Sequence, residues 1–481
     1  MKTLSHSRKN EKSPCSDAVE KLTSRFQSTF KLAFALRAAH AYKAKGVPVS
    51  EIFTFLVNLA FRNLSLFRAL QLENWSARFS KDTCYRFLNS SSINWNRFLN
   101  VLSLRVMQWL DALTSETRKT SFIVDDTPFK RSRSHRVELA ASQYDHSTKS
   151  YYMGFRCLCL AWSDGNSTIP VDFGLLSSEK GKTALETSCP DKRRRRSCGY
   201  AARSEAVSKA TEVMLLCLKR VLSLGCRARY VLFDSWFTSP AMLSHLLEMK
   251  LYAVAMVKQS TKLLYRSGGK LCTVKTIYDE NCKRRGRSKY LLSVTAEMCR
   301  SATSEAEELN IPVKLVFVRK NEKVSRKAKN YLVLVSTDTT LTEEEIIQLY
   351  RRRWNIEVFF KICKTLLRFG KESRSISYDA MRASLAIVFV RYLILAWEQR
   401  VNTDVRTIGE LFFEYAEELQ EADWKDALQA LLTAIIVEIN KNDVIVKVNI
   451  EKCISSFLEN LPEDIRQKLK CARCWLRKCI S

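Results

Sequence analysis

Four carboxylates in the sequence lie where side chains could act together on a phosphate. Asp125 and Asp126 end a short apolar run, Asp234 ends a second run, and Glu357 lies on a charged helix face. Carboxylates supply the oxygen ligands that Mg²⁺ prefers, and two ions about 3.5–4 Å apart can stabilise the attacking and the leaving oxygen of a displacement. The five histidines are not spaced as metal ligands, which disfavours a zinc hydrolase.

The helix around Glu357 is amphipathic, and its polar side mixes a phenol, cations and one carboxylate. At about 100° per residue, one narrow stripe carries Tyr350, Arg353, Glu357, Lys361 and Lys364. Such a stripe is either a solvated face with i,i+4 ion pairs, or a metal-binding glutamate flanked by groups that hold phosphate. Spacing alone leaves both interpretations open.

Three motifs resemble those of a known family of enzymes. The spacing Tyr350-x2-Arg353-x3-Glu357-x6-Lys364 resembles the Y-R-E-K signature of DDE transposases of bacterial insertion-sequence family four. The run at 124–127 resembles the first catalytic block of that family, and the run at 231–234 resembles the second. The resemblance covers roughly residues 120–400, and weakly the helical region before them.

The resemblance implies an α/β fold with an RNase H-like catalytic core, interrupted by a β-rich insertion. It also implies that Asp126, Asp234 and Glu357 form the catalytic triad and hold two Mg²⁺ ions, for which Mn²⁺ can substitute. Asp125 and Asp126 point to opposite faces of a strand. The family has a threonine directly after its catalytic aspartate, which favours Asp126 and leaves Asp125 facing solvent.

The resemblance further implies the partners and the reaction. Tyr350, Arg353 and Lys364 would contact the DNA backbone near the element's end, where related enzymes hold a flipped nucleotide. Some relatives stack that base on a tryptophan of the β insertion, but no tryptophan lies between Trp236 and Trp354, so this residue is unassigned. Hydrolysis at the terminal inverted repeat would free a 3′-OH, which then attacks target DNA. A homodimer is expected in the DNA complex.

The chain is strongly basic, with 79 Lys and Arg against 50 Asp and Glu among its 481 residues and a net charge of +29. Such an excess is typical of proteins that bind a polyanion, most commonly nucleic acid. We therefore interpret the basic runs 192–196 and 283–287 as contacts to double-stranded DNA, with Arg193, Arg194 and Arg195 as candidates. Only 12 glycines are present, which disfavours Gly-rich phosphate loops.

The apolar spacing changes along the chain and predicts its organisation. We expect a helical N-terminal DNA-binding region over 1–117, the first part of the core over 118–251, a β-strand insertion over 252–338, the second part of the core with the Glu357 helix over 339–400, and a helical C-terminal region over 401–481. Thr342 and Glu345 form a capping box that opens a helix predicted to run to about Leu367.

The N-terminal region contains two short helices, over 80–88 and from Trp95 onward. With Lys81, Arg86 and Arg97 nearby, they form either a helix-turn-helix that reads DNA or a plain helical bundle with a basic face.

No secretory or membrane signal stands out in the sequence. The first residues are polar and basic, and the apolar stretch 380–397 is interrupted by Arg382 and Arg391, so it is predicted to be a buried helix. The 16 cysteines are scattered and are expected to remain reduced thiols. We expect a bacterial cytoplasmic protein associated with the nucleoid.

Three functions remain open from the sequence alone. The first is a cut-and-paste transposase, the second a structure-directed nuclease on the same core, and the third a catalytically silent DNA-binding relative. Intact Asp126, Asp234 and Glu357 argue against the silent relative. Short inverted repeats beside the gene would favour transposition.

Residues 401–481 carry 11 basic and 14 acidic side chains, whereas the first 400 residues have a net charge of +32. A region of opposite sign is typical of an interaction module. We expect a variant lacking 401–481 to be monomeric and still to bind DNA, as checked by light scattering and a DNA-binding assay. A dimeric truncated protein would contradict this role.

Overall fold

The computed structural model describes residues 17–71, 79–113, 118–132, 136–178, 196–261, 263–284, 288–299, 310–319, 331–372, 375–401 and 408. The chain divides into two units, a smaller one of residues 1–25, 61–63 and 410–481 and a larger one of residues 26–60 and 64–409. In the smaller unit, Arg62 pairs with Glu20 at 3.6 Å.

The N-terminal region is helical, as the apolar spacing predicts. Its helices are α1 (Asp17–Thr29), α2 (Leu32–Ala38), α3 (Val49–Asn58), α4 (Leu66–Gln71), α5 (Lys81–Leu88) and α6 (Trp95–Asp111). Asn94 caps α6 by accepting a hydrogen bond from the backbone N–H of Arg97 at 3.0 Å. Trp95 and Phe98 of α6 are fully buried. Trp95 stacks with Phe53 of α3 and Phe98 contacts the same ring edge-on, so α3 and α6 pack around one aromatic core.

The described strands form one mixed sheet of eleven strands. They are β1 (Ser121–Lys130), β2 (Ala141–Asp145), β3 (Ser150–Ser163), β4 (Thr168–Leu176), β5 (Tyr230–Phe233), β6 (Tyr252–Met256), β7 (Leu264–Ser267), β8 (Lys270–Cys272), β9 (Leu292–Cys299), β10 (Asn310–Arg319) and β11 (Tyr331–Ser336). Their order is β2-β3-β1-β5-β6-β11-β10-β9-β7-β8, and β4 also pairs with β3. The α/β class expected from the sequence is confirmed.

Parallel and antiparallel pairs divide this sheet. β1, β5 and β6 run parallel to one another, while β3 is antiparallel to β1 and to β4. β11 pairs antiparallel with β6, so the strand-rich segment extends the same sheet. β5 is buried along its whole length, which agrees with the continuous apolar run typical of a parallel strand covered on both faces.

Seven further helices of the described residues lie between β4 and β5, after β5, between β8 and β9, and after β11. They are α7 (Cys198–Ala206), α8 (Ala210–Ser223), α9 (Pro240–Glu248), α10 (Val274–Glu280), α11 (Glu343–Arg351), α12 (Trp354–Thr365) and α13 (Tyr378–Val401). The capping box at α11 is confirmed, because Thr342 accepts from the N–H of Glu345 and the Glu345 carboxylate accepts from the N–H of Thr342 at 2.9 Å.

The helix predicted from Thr342 to Leu367 is interrupted, which corrects the sequence expectation. α11 ends at Arg351 and α12 begins at Trp354. Across the break, backbone bonds join residues three apart, as in Arg353 N–H to Tyr350 O at 3.0 Å. This tighter turn changes the angle between residues, so Tyr350 lies on a different helix from Glu357 and a single helical wheel does not describe the stripe.

Helix α6 covers the edge of strand β4 that lacks a strand partner among the described residues. Asn96, Asn100 and Ser103 are buried and lie one turn apart along α6. The Asn100 amide donates to Val171 O at 2.6 Å, and the Ser103 hydroxyl donates to Pro170 O at 2.7 Å. Side chains thus satisfy backbone carbonyls that a buried strand edge would leave unpaired.

This packing corrects the helix-turn-helix hypothesis for the N-terminal region. The second helix of that hypothesis is α6, and its polar stripe binds β4 in place of a DNA groove. Arg97 donates to the carbonyl of Ala38 at 3.0 Å. Lys81 and Arg86 of α5 remain exposed.

Helix α13 is the one helix in the described part of the chain that is long and apolar enough to cross a membrane, and all of its apolar window is buried inside the protein. Buried polar contacts explain the two arginines in it. Arg391 donates to Val57 O at 2.8 Å and pairs with Glu372 at 2.8 Å, while Arg382 donates to Asn96. The prediction of a buried helix is confirmed.

Replacing Asn100 with alanine removes the donor to the buried carbonyl of Val171. We expect the free energy of unfolding to fall by about 1–3 kcal/mol, because a buried acceptor is left unpaired. Urea denaturation measures this loss. Asn89→Ala is the control, since the Asn89 amide is exposed, where it donates to Tyr85 O at 2.8 Å and accepts from the Ser375 hydroxyl at 3.3 Å. An equal, small change in both variants would show that α6 does not stabilise the β4 edge.

Candidate active site

Strands β1 and β5 bring two aspartates to the same edge of the sheet. They run parallel in a register that pairs Phe122 with Val231 and Ile123 with Leu232. Two residues further along, the same register brings Asp125 opposite Asp234. Side chains two residues apart on a strand share a face, so both carboxylates belong to the face of Ile123 and Leu232.

Helix α12 supplies a guanidinium and a third carboxylate to this edge. Arg353 Nη1 lies 3.2 Å from Asp125 Oδ2, and Arg353 Nη2 lies 2.7 Å from Glu357 Oε1. Arg353 is 9% exposed, and its Nε atom has no hydrogen-bond partner. One buried cation therefore joins the first strand to the helix and holds two carboxylates apart.

Burial raises the pKa of Asp125 to about 7. The charge of Arg353 and the N–H of Asp126, which donates to Asp125 Oδ1 at 2.8 Å, act in the opposite direction. The negative charges of Asp126 and Glu357 raise the pKa further. Asp125 is thus an acid that changes charge near neutral pH because it is half-buried and lies near two other carboxylates.

The two adjacent aspartates have the opposite orientation to the one expected from the sequence. Asp125 faces Arg353, and its side chain is 22% exposed against 23% for Asp126, so the two carboxylates differ in their partners and not in their exposure. The carboxylate of Asp126 instead forms an ion pair with Arg156 of β3. The threonine after Asp126 favoured the other arrangement, but strand alternation allows only one of the two to face α12, and the packing of α12 on β1 selects Asp125.

Tyr350 lies beside Arg353, and Asp234 lies near enough to Tyr350 to affect its pKa. The Asp234 carboxylate accepts the N–H of Ser235 at 2.6 Å, at the start of the turn that leads to α9. Tyr350 lies 5.7 Å from the Arg353 guanidinium, measured from its ring centre. Burial raises the pKa of Tyr350 to about 12, Arg353 lowers it, and the charge of Asp234 raises it. Tyr350 therefore stays neutral and can donate a hydrogen bond.

The two lysines of the stripe differ in their surroundings. Lys361 is exposed, whereas Lys364 is half-buried. Burial lowers the pKa of Lys364, and the nearby Cys157 and Asp145 partly offset this by raising it. Arg193, Arg194 and Arg195 lie outside the described residues, as do Arg285 and Arg287 of the second basic run.

The donor atoms at this edge suit a hard divalent cation in chemistry, since all are carboxylate oxygens. Arg353 already occupies the space between Asp125 and Glu357, which shows that the fold stabilises positive charge there. Within the described ranges, no group of three or more His, Cys, Asp or Glu side chains lies close enough to hold a metal ion. A metal ion placed between Asp125 and Glu357 would displace Arg353 from that position.

Sequence reasoning missed two side chains beside the carboxylates, Arg156 and Trp236. Arg156 lies within the apolar run of β3, where its pairing with Asp126 depends on strand register. Trp236 is 56% exposed, and its position two residues after Asp234 was the available signal. The guanidinium of Arg156 lies 5.7 Å from the centre of the Trp236 ring.

Residues 67–303 match the family model of the DDE superfamily endonucleases. This match includes β1 and β5 with their aspartates and ends before α12, which carries Glu357. It supports a DDE-type transposase or nuclease. Among curated proteins no significant match is found.

The raised pKa of Asp125 predicts how stability depends on pH. The folded protein holds this proton more tightly than the unfolded chain, so the contribution of Asp125 to stability falls as pH rises from about 4 to 7. We expect the stability of Asp125→Asn relative to the unmodified protein to increase by about 1–3 kcal/mol between pH 5 and pH 8. Urea unfolding at several pH values measures this difference.

Asp145→Asn is a control of opposite sign. The Ser147 hydroxyl holds the pKa of Asp145 below its ordinary value, so removing that carboxylate costs stability at neutral pH. A difference for Asp125→Asn that does not change with pH would contradict the buried, partly protonated state.

Proposed function

We propose that this protein is a metal-dependent DDE transposase that cuts and rejoins DNA at the ends of an insertion sequence. The observation that carries the proposal is that Arg353 bridges Asp125 to Glu357. Asp234 follows the parallel strand next to Asp125, and its charge acts on Tyr350. The match of residues 67–303 to the DDE superfamily endonucleases supports the same class of reaction. The Y-R-E-K spacing supports insertion-sequence family four.

The proposed catalytic core is RNase H-like. Its support is the strand order β4-β3-β1-β5-β6, in which β1, β5 and β6 are parallel and β3 and β4 alternate in direction. The strands from β7 to β11 lie between β6 and α11 in the chain and form the proposed insertion. The insertion expected over 252–338 thereby becomes shorter, because β6 pairs parallel with β5 and joins the proposed core.

Asp125, Asp234 and Glu357 are the proposed metal-binding carboxylates, with Asp125 in place of the Asp126 favoured by the family motif. Bound Mg²⁺ or Mn²⁺ would supply an activated water and neutralise charge at the scissile phosphate. Asp126 would hold Arg156 in position through their ion pair.

Arg353 is the residue that would couple DNA binding to the carboxylates. Its planar guanidinium matches two phosphate oxygens as well as it matches two carboxylates. When the DNA backbone enters, Arg353 would exchange Asp125 and Glu357 for the phosphate. The Tyr350 hydroxyl would donate a hydrogen bond to the DNA backbone. Lys361 and Lys364 would add positive charge along the bound DNA strand.

The proposed partners are the terminal inverted repeats and the target DNA, bound by a homodimer in the bacterial cytoplasm. The net charge of +32 over the first 400 residues supports a polyanionic partner. Arg193, Arg194 and Arg195 would contact the same backbone.

A structure-directed nuclease is the second candidate, because the family that matches residues 67–303 is described as endonucleases. Both enzymes would cut DNA with the same residues. Only a transposase would join the cut end to a second DNA.

Cleavage of a labelled duplex that carries the inverted repeat flanking the gene tests both candidates. We expect cutting at the repeat boundary with Mg²⁺ and none with EDTA, followed by joining to a second DNA. Asp125→Asn, Asp234→Asn and Glu357→Gln should each lose more than about 100-fold, since even outer partners of metal sites are worth 10–100-fold.

Asp126→Asn is the matched variant, and we expect it to retain activity within about tenfold because it loses only an ion pair with Arg156. Loss of cutting in Asp126→Asn with activity kept in Asp125→Asn would restore the assignment based on the motif. Cutting without joining would favour the nuclease. Binding without cutting would leave a silent DNA-binding protein.

A further inference from the structure

Four aromatic side chains form a row on the surface beside the candidate active site. The row consists of Tyr151, Tyr144, His146 and Trp236. Neighbouring ring centres are 5.1 Å apart from Tyr151 to Tyr144, 4.9 Å from Tyr144 to His146, and 6.2 Å from His146 to Trp236. The rings are tilted against one another by 50° to 84°.

Folding alone explains only part of this row. Tyr144 and Tyr151 are directly opposite in the β2–β3 hairpin, and such cross-strand aromatic pairs stabilise hairpins. Trp236, however, comes from the turn after β5. Tyr151 is 76% exposed and Trp236 is 56% exposed, so burial gains little from either. Large exposed rings that converge from separate elements indicate a binding surface.

Cations flank the end of the row that lies nearest the carboxylates. Arg156 lies 5.7 Å and Lys258 6.0 Å from the centre of the Trp236 ring. Arg156 also pairs with Asp126, and Trp236 follows Asp234 by two residues. The row therefore starts beside the candidate active site and continues along the hairpin.

We propose that this aromatic row binds an unpaired stretch of DNA strand, whose bases stack on the rings of Tyr151, Tyr144, His146 and Trp236. Every base has a flat face that stacks on aromatic side chains, and Arg156 and Lys258 neutralise the adjoining phosphates. A duplex keeps its base faces inside the helix, so it cannot use the row. The inference rests on the proposed function only in taking DNA as the ligand.

Fluorescence anisotropy with a labelled oligothymidylate and a labelled duplex of equal length tests the row. The full chain is used in EDTA, so binding is read without cleavage and the result does not depend on the carboxylates. We expect Trp236→Ala and Tyr151→Ala each to weaken binding of the single strand by about tenfold and to change duplex binding by less than about twofold. Trp236→Phe should keep most of the affinity.

Phe34→Ala is the matched control. Phe34 is 54% exposed and also carries an arginine, Arg105, 4.7 Å from its ring centre, but it lies on α2 outside the row. It should bind both DNAs as the unmodified protein does. Circular dichroism and thermal melting check that each variant folds.

Two results would overturn the proposal. Unchanged single-strand affinity in Trp236→Ala and Tyr151→Ala would show that the rings do not stack on bases. Equal losses for the single strand and the duplex would assign the surface to backbone contact. The proposed enzyme and the aromatic row can fail separately. If the protein does not cut DNA but Trp236→Ala and Tyr151→Ala still lose single-strand affinity, the proposed enzyme is rejected and the binding role of the row is kept.

Discussion

The pairing of the half-buried Asp125 carboxylate with Arg353 is the constraint on which the active-site edge depends. Removing a carboxylate from water favours either a nearby cation or protonation, and here Arg353 opposes the rise in the Asp125 pKa that desolvation causes. Arg353 reaches the carboxylate only because α12 packs against β1. The break between α11 and α12 places Arg353 at the start of the second helix, where it can bridge to Glu357.

The architecture holds that edge from both sides. Parallel pairing of β1 with β5 fixes Asp125 beside Asp234, and the buried strand β5 leaves no freedom in that register. At the β4 edge of the sheet, polar side chains of α6 donate hydrogen bonds to buried carbonyls of β4 that have no strand partner among the described residues. The buried Arg391 of α13 binds the end of α3, and Arg382 binds Asn96 of α6, so α13 connects the helical region to the core. Buried polar side chains in this core fix how the helices pack on the sheet. Each of them destabilises the fold if its hydrogen-bond partner is removed.

The surface around the carboxylates combines positive charge with exposed aromatic rings. Arg353 serves the carboxylates on the Asp125 face, whereas Arg156 connects Asp126 to Trp236. The two adjacent aspartates thus belong to two different environments. In the proposed enzyme, the residues around Asp125 and Arg353 would bind the scissile phosphate. The residues around Arg156 and Trp236 would bind the unpaired bases next to it.

Much of this protein follows from its sequence alone. Apolar spacing predicted the helical region before the first strand, and the capping box at Thr342 predicted the start of α11, because local hydrogen bonds and side-chain periodicity act over a few residues. The carboxylates at the ends of apolar runs and the basic composition indicated metal-dependent chemistry on DNA. The break after α11 was not predicted. A single turn whose backbone hydrogen bonds join residues three apart leaves no signal in the apolar spacing.

Tertiary structure alone decided which residues meet. Adjacent aspartates alternate on any strand, and only the packing of α12 on β1 determines that Asp125 faces Arg353. The role of α6 as cover for β4, the pairing of Arg156 with Asp126, and the row from Tyr151 to Trp236 all join residues far apart in the chain. Local propensity contains no information on such pairs, because their contact depends on strand register and helix packing across the whole sheet.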